Sequence, residues 1–151
     1  TDAPLSPAGK TRAAHLASML EGANLVGLYA SQYQRTQQTL APLAKAQRLK
    51  VQIYPIDENG PSAQAAAIAG EVQQANRKGT VVVAGHSNTV DDLVAAFGGP
   101  LVDELEHNDY DSFFVIDRCE NAPAQLQRRV FSRAQFHDNA KPHENVNAHE
   151  K

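Results

Sequence analysis

The sequence predicts an α/β fold: a three-layer sandwich with a mainly parallel sheet and helices on both faces. Three observations carry this. Short β-branched runs alternate with longer helical patterns along most of the chain. The run Val81-Val82-Val83-Ala84 ends abruptly in Gly85-His86-Ser87-Asn88-Thr89 and passes at once into a helical pattern, which reads as strand, tight turn and helix start. The 151 residues, 42% of them hydrophobic and 21% charged, are enough for one domain with a real core.

The elements follow in order. Ser6-Pro7 is a helix start, with Ser6 as N-cap and proline in the first turn. Ala13, Leu16, Ala17 and Leu20 recur at helical spacing and Gly22 closes that helix. Leu25 to Ala30 is a short strand. Ser31 to Ala46 is helical, with Leu40, Leu43 and Ala44 as its apolar stripe, and Val51 to Ile56 is a second strand. Asp57-Glu58-Asn59-Gly60-Pro61 is a loop by composition. The Ala- and Gln-rich stretch Ser62 to Asn76 is a helix, Thr80 to Ala84 the third strand, and Asn88 to Phe97 the next helix, broken by Gly98-Gly99-Pro100. Ser112 to Ile116 is a fourth strand and Gln125 to Phe131 a fifth. Leu25–Ala30, Val51–Tyr54, Thr80–Ala84 and Phe113–Ile116 are expected to share one sheet. The domain is expected to span residues 1–132, with 133–151 a polar, mobile tail.

Composition excludes several classes. A formal charge of −3 gives no general attraction to nucleic acid or to an anionic membrane, so neither is an expected partner. No apolar run approaches membrane-spanning length. The single cysteine, Cys119, excludes an internal disulfide and leaves the compartment open: cytoplasmic or, after removal of a signal peptide, periplasmic or secreted. His137, His143 and His149 recur every six residues, which is not a metal-ligand spacing, so no metal and no cofactor are expected.

Two polar clusters carry chemistry, and both stand after a strand and before a helix, where α/β proteins bind ligands. The first is His86 with Ser87, Asn88 and Thr89, beside helix N–H groups that favour an anion. The second is Ser31 to Thr39. Its Arg35 lies one turn into the helix, and a planar guanidinium with five donors suits bidentate phosphate binding. Each has a plain structural reading: a solvated helix arginine, a histidine that caps or packs, and Ser87, Asn88 and Thr89 as helix caps. The placement of both at carboxyl ends of strands favours the functional one. Asp57 and Glu58 occupy the position of a proton donor after a strand, or simply a solvated turn.

Together, Pro4-Leu5-Ser6-Pro7-Ala8-Gly9, Leu28-Tyr29-Ala30-Ser31 with Arg35-Thr36 and Thr39, and Val82-Val83-Ala84-Gly85-His86-Ser87-Asn88-Thr89 resemble the histidine phosphatase superfamily, the phosphoglycerate-mutase-like proteins. Asp109-Tyr110-Asp111 before Phe113-Phe114-Val115 is similar to a subgroup of small phosphatase-like members. The resemblance implies phosphate-monoester hydrolysis or phosphoryl transfer through a phosphohistidine. It implies Arg35 as the phosphate clamp and His86 as the second pocket histidine. Ser31 and Asn88 become pocket neighbours, and Glu58 or Asp57 the leaving-group acid. The implied partner is a phosphorylated small molecule or phosphoprotein.

One departure matters. The family's nucleophile lies in an Arg-His-Gly or Arg-His-Ala signature at the end of a first, central strand, and no Arg-His dipeptide occurs here. The expectation is that this N-terminal segment was lost, cleaved or left out, that two strands of the sheet lack their shared neighbour, and that these residues alone are inactive. Two alternatives stand beside this reading. One is a pseudophosphatase that binds phospholigands without turnover. The other is a serine hydrolase using Ser87, since Gly85-His86-Ser87-Asn88-Thr89 falls one glycine short of a nucleophile elbow, with Asp117 and His137 as triad partners.

Overall fold

The computed structural model describes residues 1–131. The predicted tail, with His137, His143 and His149, lies outside them. Strands β1 (Leu25–Ala30), β2 (Val51–Ile53) and β3 (Thr80–Ala84) form a parallel sheet in the order β2-β1-β3. Helices α1 (Pro7–Met19) and α2 (Gln34–Gln47) cover one face, and α3 (Gly60–Ala75) and α4 (Val90–Ala96) the other.

The two-residue period of a strand explains the two cores. Leu28 and Ala30 of β1 and Val82 and Ala84 of β3 point to one side. They pack with Leu40 and Leu43 of α2 and with Leu16 and Ala17 of α1. Tyr29, Val81 and Val83 point to the other side and meet Ala65 and Ile68 of α3 and Leu93 of α4. Helix starts follow local chemistry. Ser6 Oγ accepts the Gly9 N–H at 3.1 Å, and Pro7 opens α1. Gly22, with φ of +87°, turns the chain after α1. The second helix begins at Gln34 rather than Ser31. Its N-cap, Tyr33, has no capping side chain, and the Asp2 carboxylate accepts from the Gln34 N–H at 2.8 Å instead.

One expectation is corrected. The fourth strand, β4 (Ser112–Asp117), does not join the parallel sheet. It pairs antiparallel with β5 (Gln125–Val130) in a second sheet. The short connection 118–124 returns the chain directly, and such a connection makes a hairpin rather than a crossover. The hairpin unit touches α1 at two points: Arg12 reaches Asp111 at 2.8 Å, and the His15 ring meets Phe131, which also packs on Phe113, edge to face at 5.6 Å. Among the described residues β3 therefore has β1 as its one strand partner and β4 has β5. Val81–Ala84 are half-buried, whereas Leu28, Tyr29 and Ala30 of the central strand are buried.

Candidate active site

The register of β1 against β3 builds the site. Ala30 is the partner of Ala84, so the residues that leave the two carboxyl ends, Ser31 and Gly85-His86, emerge side by side. Gly85 lies at a close approach to α4. A Cβ there would stand 2.9 Å from Leu93 Cδ1 and 3.1 Å from Val90 Cγ2, so a larger residue would press on the α4 side chains packed against the end of β3. The chain then turns on the His86 carbonyl, which accepts the Thr89 and Val90 N–H groups at 3.0 and 3.1 Å. Buried Thr89 closes the loop, its Oγ1 accepting from His86 N at 2.9 Å. Thr89 is the N-cap of α4 but makes no side-chain capping bond, because its hydroxyl is used on His86.

The His86 ring is held on two sides. Its Nε2 lies 2.8 Å from Ser31 Oγ, and Ser31 Oγ lies 2.8 Å from Thr36 Oγ1. The Tyr33 ring meets His86 edge to face, with centroids 5.3 Å apart. Arg35 stacks on that same tyrosine, its guanidinium carbon 4.8 Å from the ring centroid. Arg35 is half-buried and, among the described residues, has no carboxylate partner. Burial, and then the positive field of Arg35, hold the His86 imidazole below its usual proton affinity. A cation without a counter-charge beside a neutral, half-buried histidine is an arrangement that favours an arriving anion.

The other candidates lie further out. Glu58 is exposed and makes no side-chain hydrogen bond or ion pair among the described residues. Asp57 holds the turn before α3, accepting from Asn59 N at 2.9 Å. Their loop nevertheless borders the site. Gln32, the neighbour of Ser31, donates to Ile56 O and accepts from Ile56 N, both at 3.0 Å. Asn88 is exposed. Ser87 Oγ contacts no base among the described residues, because the adjacent imidazole turns to Ser31. Among those residues no group of three His, Cys, Asp or Glu side chains is placed to hold a metal, and no helix is long and apolar enough to cross a membrane.

The sequence reading missed Tyr33 and Thr36. No local signal marks them: the Ala30–Ala84 register, which brings His86 beside Ser31, sets their roles.

Residues 1–56 match the family model of the histidine phosphatase superfamily (branch 1), a span that includes Ser31 and Arg35 and ends before His86. The fold, a parallel sheet flanked by helices, is similar to that of a histidine phosphatase. A phosphoserine phosphatase from Entamoeba histolytica, solved with 3-phosphoglyceric acid, superposes on it with a TM-score of 0.58 at 16% identity, covering 90% of this chain and 88% of that one. No curated protein matches the sequence.

Proposed function

We propose that this protein acts on phosphate monoesters. The phosphoryl group sits between Arg35 and His86 and is transferred through a phosphohistidine. The observation that carries the reading is the half-buried Arg35, without an anionic partner among the described residues, joined through Tyr33 to a histidine at the ends of adjacent parallel strands. Fixed donors of this kind act where charge concentrates as phosphoryl groups move. A small phosphorylated molecule is the ligand class we favour, in keeping with the 3-phosphoglyceric acid bound by the Entamoeba neighbour. These residues account for holding and neutralising the group. The attack belongs to a histidine in Arg-His context, which the 151 residues do not contain.

A second reading is binding of a phospholigand without turnover, for which Arg35 and His86 alone suffice. Incubation with an acyl phosphate, followed by detection of phosphohistidine, separates the two. The expected result is phosphate binding by the 151-residue chain with background turnover of an aryl phosphate. Fusing an apolar strand ending in Arg-His ahead of Thr1 is expected to restore turnover. In that fusion, His86→Ala is expected to lower kcat by roughly 10²–10³, the scale of losing one preorganised group at the transferring phosphoryl. Failure of inorganic phosphate to bind overturns both readings.

A further inference from the structure

Proton counting along the Ser31–Thr36 chain fixes which nitrogen of His86 faces the ligand. Thr36 Oγ1 lies 2.9 Å from Tyr33 O, a backbone carbonyl that can only accept. The one Thr36 hydroxyl proton must fill that contact, or two oxygens with lone pairs would face each other there. Thr36 Oγ1 then has no proton left for Ser31 Oγ at 2.8 Å, so Ser31 donates to Thr36. Ser31 in turn has none left for His86 Nε2 at 2.8 Å, so Nε2–H donates to Ser31. Both hydroxyl residues are buried, at 1% and 3% exposure, so water does not substitute for these partners. The other ring nitrogen, Nδ1, makes no hydrogen bond among the described residues, and it is not sealed in the interior as an unsatisfied group.

We propose that Ser31 and Thr36 are positioning residues that hold resting His86 as the Nε2–H tautomer. Its open Nδ1 thus meets the ligand as a proton acceptor, and each phosphoryl dianion binds together with one proton. This rests on the reading of the site as a phosphate pocket. A dianion oxygen facing the Nδ1 lone pair is repelled unless a proton lies between them. The proton arrives on the ligand as P–OH, or from solvent onto Nδ1. The composition of the complex is the same either way: ligand, neutral imidazole and one added proton. The charged group acting on His86 is Arg35 from α2, which opposes a lone imidazolium and favours one that arrives with an anion. Tyr33 is the titratable ring against it. Depression of the His86 proton affinity keeps the resting ring neutral at and above neutral pH, as the scheme needs.

The test has two arms on the full chain. Nitrogen-15 NMR of the ligand-free imidazole reads the tautomer directly: protonated Nε2 is expected, and protonated Nδ1 overturns the relay. Thr36→Val keeps the side-chain volume but frees the Ser31 proton to turn toward Nε2, so the Nδ1–H form is expected to appear. Thr36→Ser, which restores the relay, should not show it. An unchanged tautomer in Thr36→Val means the pair only packs, and overturns the positioning role. In the second arm, calorimetry with inorganic phosphate at about pH 8, in buffers of different ionisation enthalpy, should show uptake of about one proton per site, since phosphates are chiefly dianionic there. Affinity should fall about tenfold per pH unit above that. Binding with no proton uptake overturns the acceptor role. If phosphate does not bind at all, the phosphate-pocket reading falls, while the NMR arm still decides the tautomer.

Discussion

Arg35 and the hairpin arginines show how one residue type serves two ends. Arg12 and Arg128, which tie down the β4–β5 unit, each face a carboxylate: Asp111 at 2.8 Å and Asp109 at 3.0 Å. Arg35 at the end of the parallel sheet has an aromatic face and no carboxylate among the described residues. A paired arginine has spent its electrostatic potential on the fold. An unpaired, half-buried one keeps it for a ligand, and its neighbour His86 registers that field as a lowered proton affinity. The contrast extends to packing. The central strand β1 is buried between two helix pairs, whereas β4 is half-buried and β5 mostly exposed.

The largest way to break this contrast is in the core. Leu28 is 0% exposed in the cluster beneath the site, so Leu28→Ala should destabilise by about 2–5 kcal/mol in denaturant unfolding. A loss below about 1 kcal/mol would show that the sheet is not the stability-bearing region. Next comes the separation of roles between arginines. Arg35→Ala should weaken phosphate binding by roughly 1.5–3 kcal/mol, the scale of charge-assisted hydrogen bonds, while the melting temperature changes little. Arg12→Ala should do the reverse, lowering stability slightly and leaving phosphate affinity alone. Phosphate affinity falling equally in both would erase the distinction.

The two regions should also titrate in different windows. His86 has a lowered folded-state proton affinity, so between its folded value and the unfolded value of about 6.5 the unfolded chain binds more protons. Its contribution therefore makes stability rise with pH through that window and fall as acid is added. Asp109 is held below the usual carboxylate range. The hydrogen bond from Ser112 Oγ contributes most, followed by the Ser112 and Asp111 N–H groups and Arg128. Its stabilisation is present above the unfolded carboxylate value and is lost only as pH falls through the folded one. A stability profile of His86→Gln should lose the upper slope and keep the lower. Loss of the lower slope instead would mean that the groups are misassigned.

Much of this was legible in the residues. The limits of β1 and β3 coincide with the predicted strands because β-branched runs bounded by polar turns have no competing reading there. The alternation Val81/Val83 against Val82/Ala84 already contains the two cores. Arg35 and His86 stood out because both follow strands. What stayed hidden was non-local. Nothing near Phe113 says that β4 turns back on β5 instead of joining β3. Tyr33 and Thr36 read as ordinary first-turn residues until the Ala30–Ala84 register brings His86 onto them. Glu58 follows a strand, but that position alone does not point a carboxylate inward, and the side chain is exposed.

The smallest expected effect tests the hairpin's tie to α1. The Arg12 and Asp111 side chains are 28% and 47% exposed, so water screens their attraction despite a 2.8 Å contact. A double-mutant cycle of Arg12→Ala and Asp111→Ala should give a coupling of about 0.2–1 kcal/mol, shrinking as salt is raised. The pair is not isolated, which sets the upper part of that range. Asp111 O also accepts the Phe131 N–H at 2.8 Å, and Phe131 packs on Phe113 of β4 and on His15 of α1. The ion pair therefore fixes one end of a contact whose larger share is apolar. A coupling well above this range would mean that the hairpin depends on its charges as the site depends on Arg35, and the division between paired and unpaired arginines would no longer follow the division between fold and function.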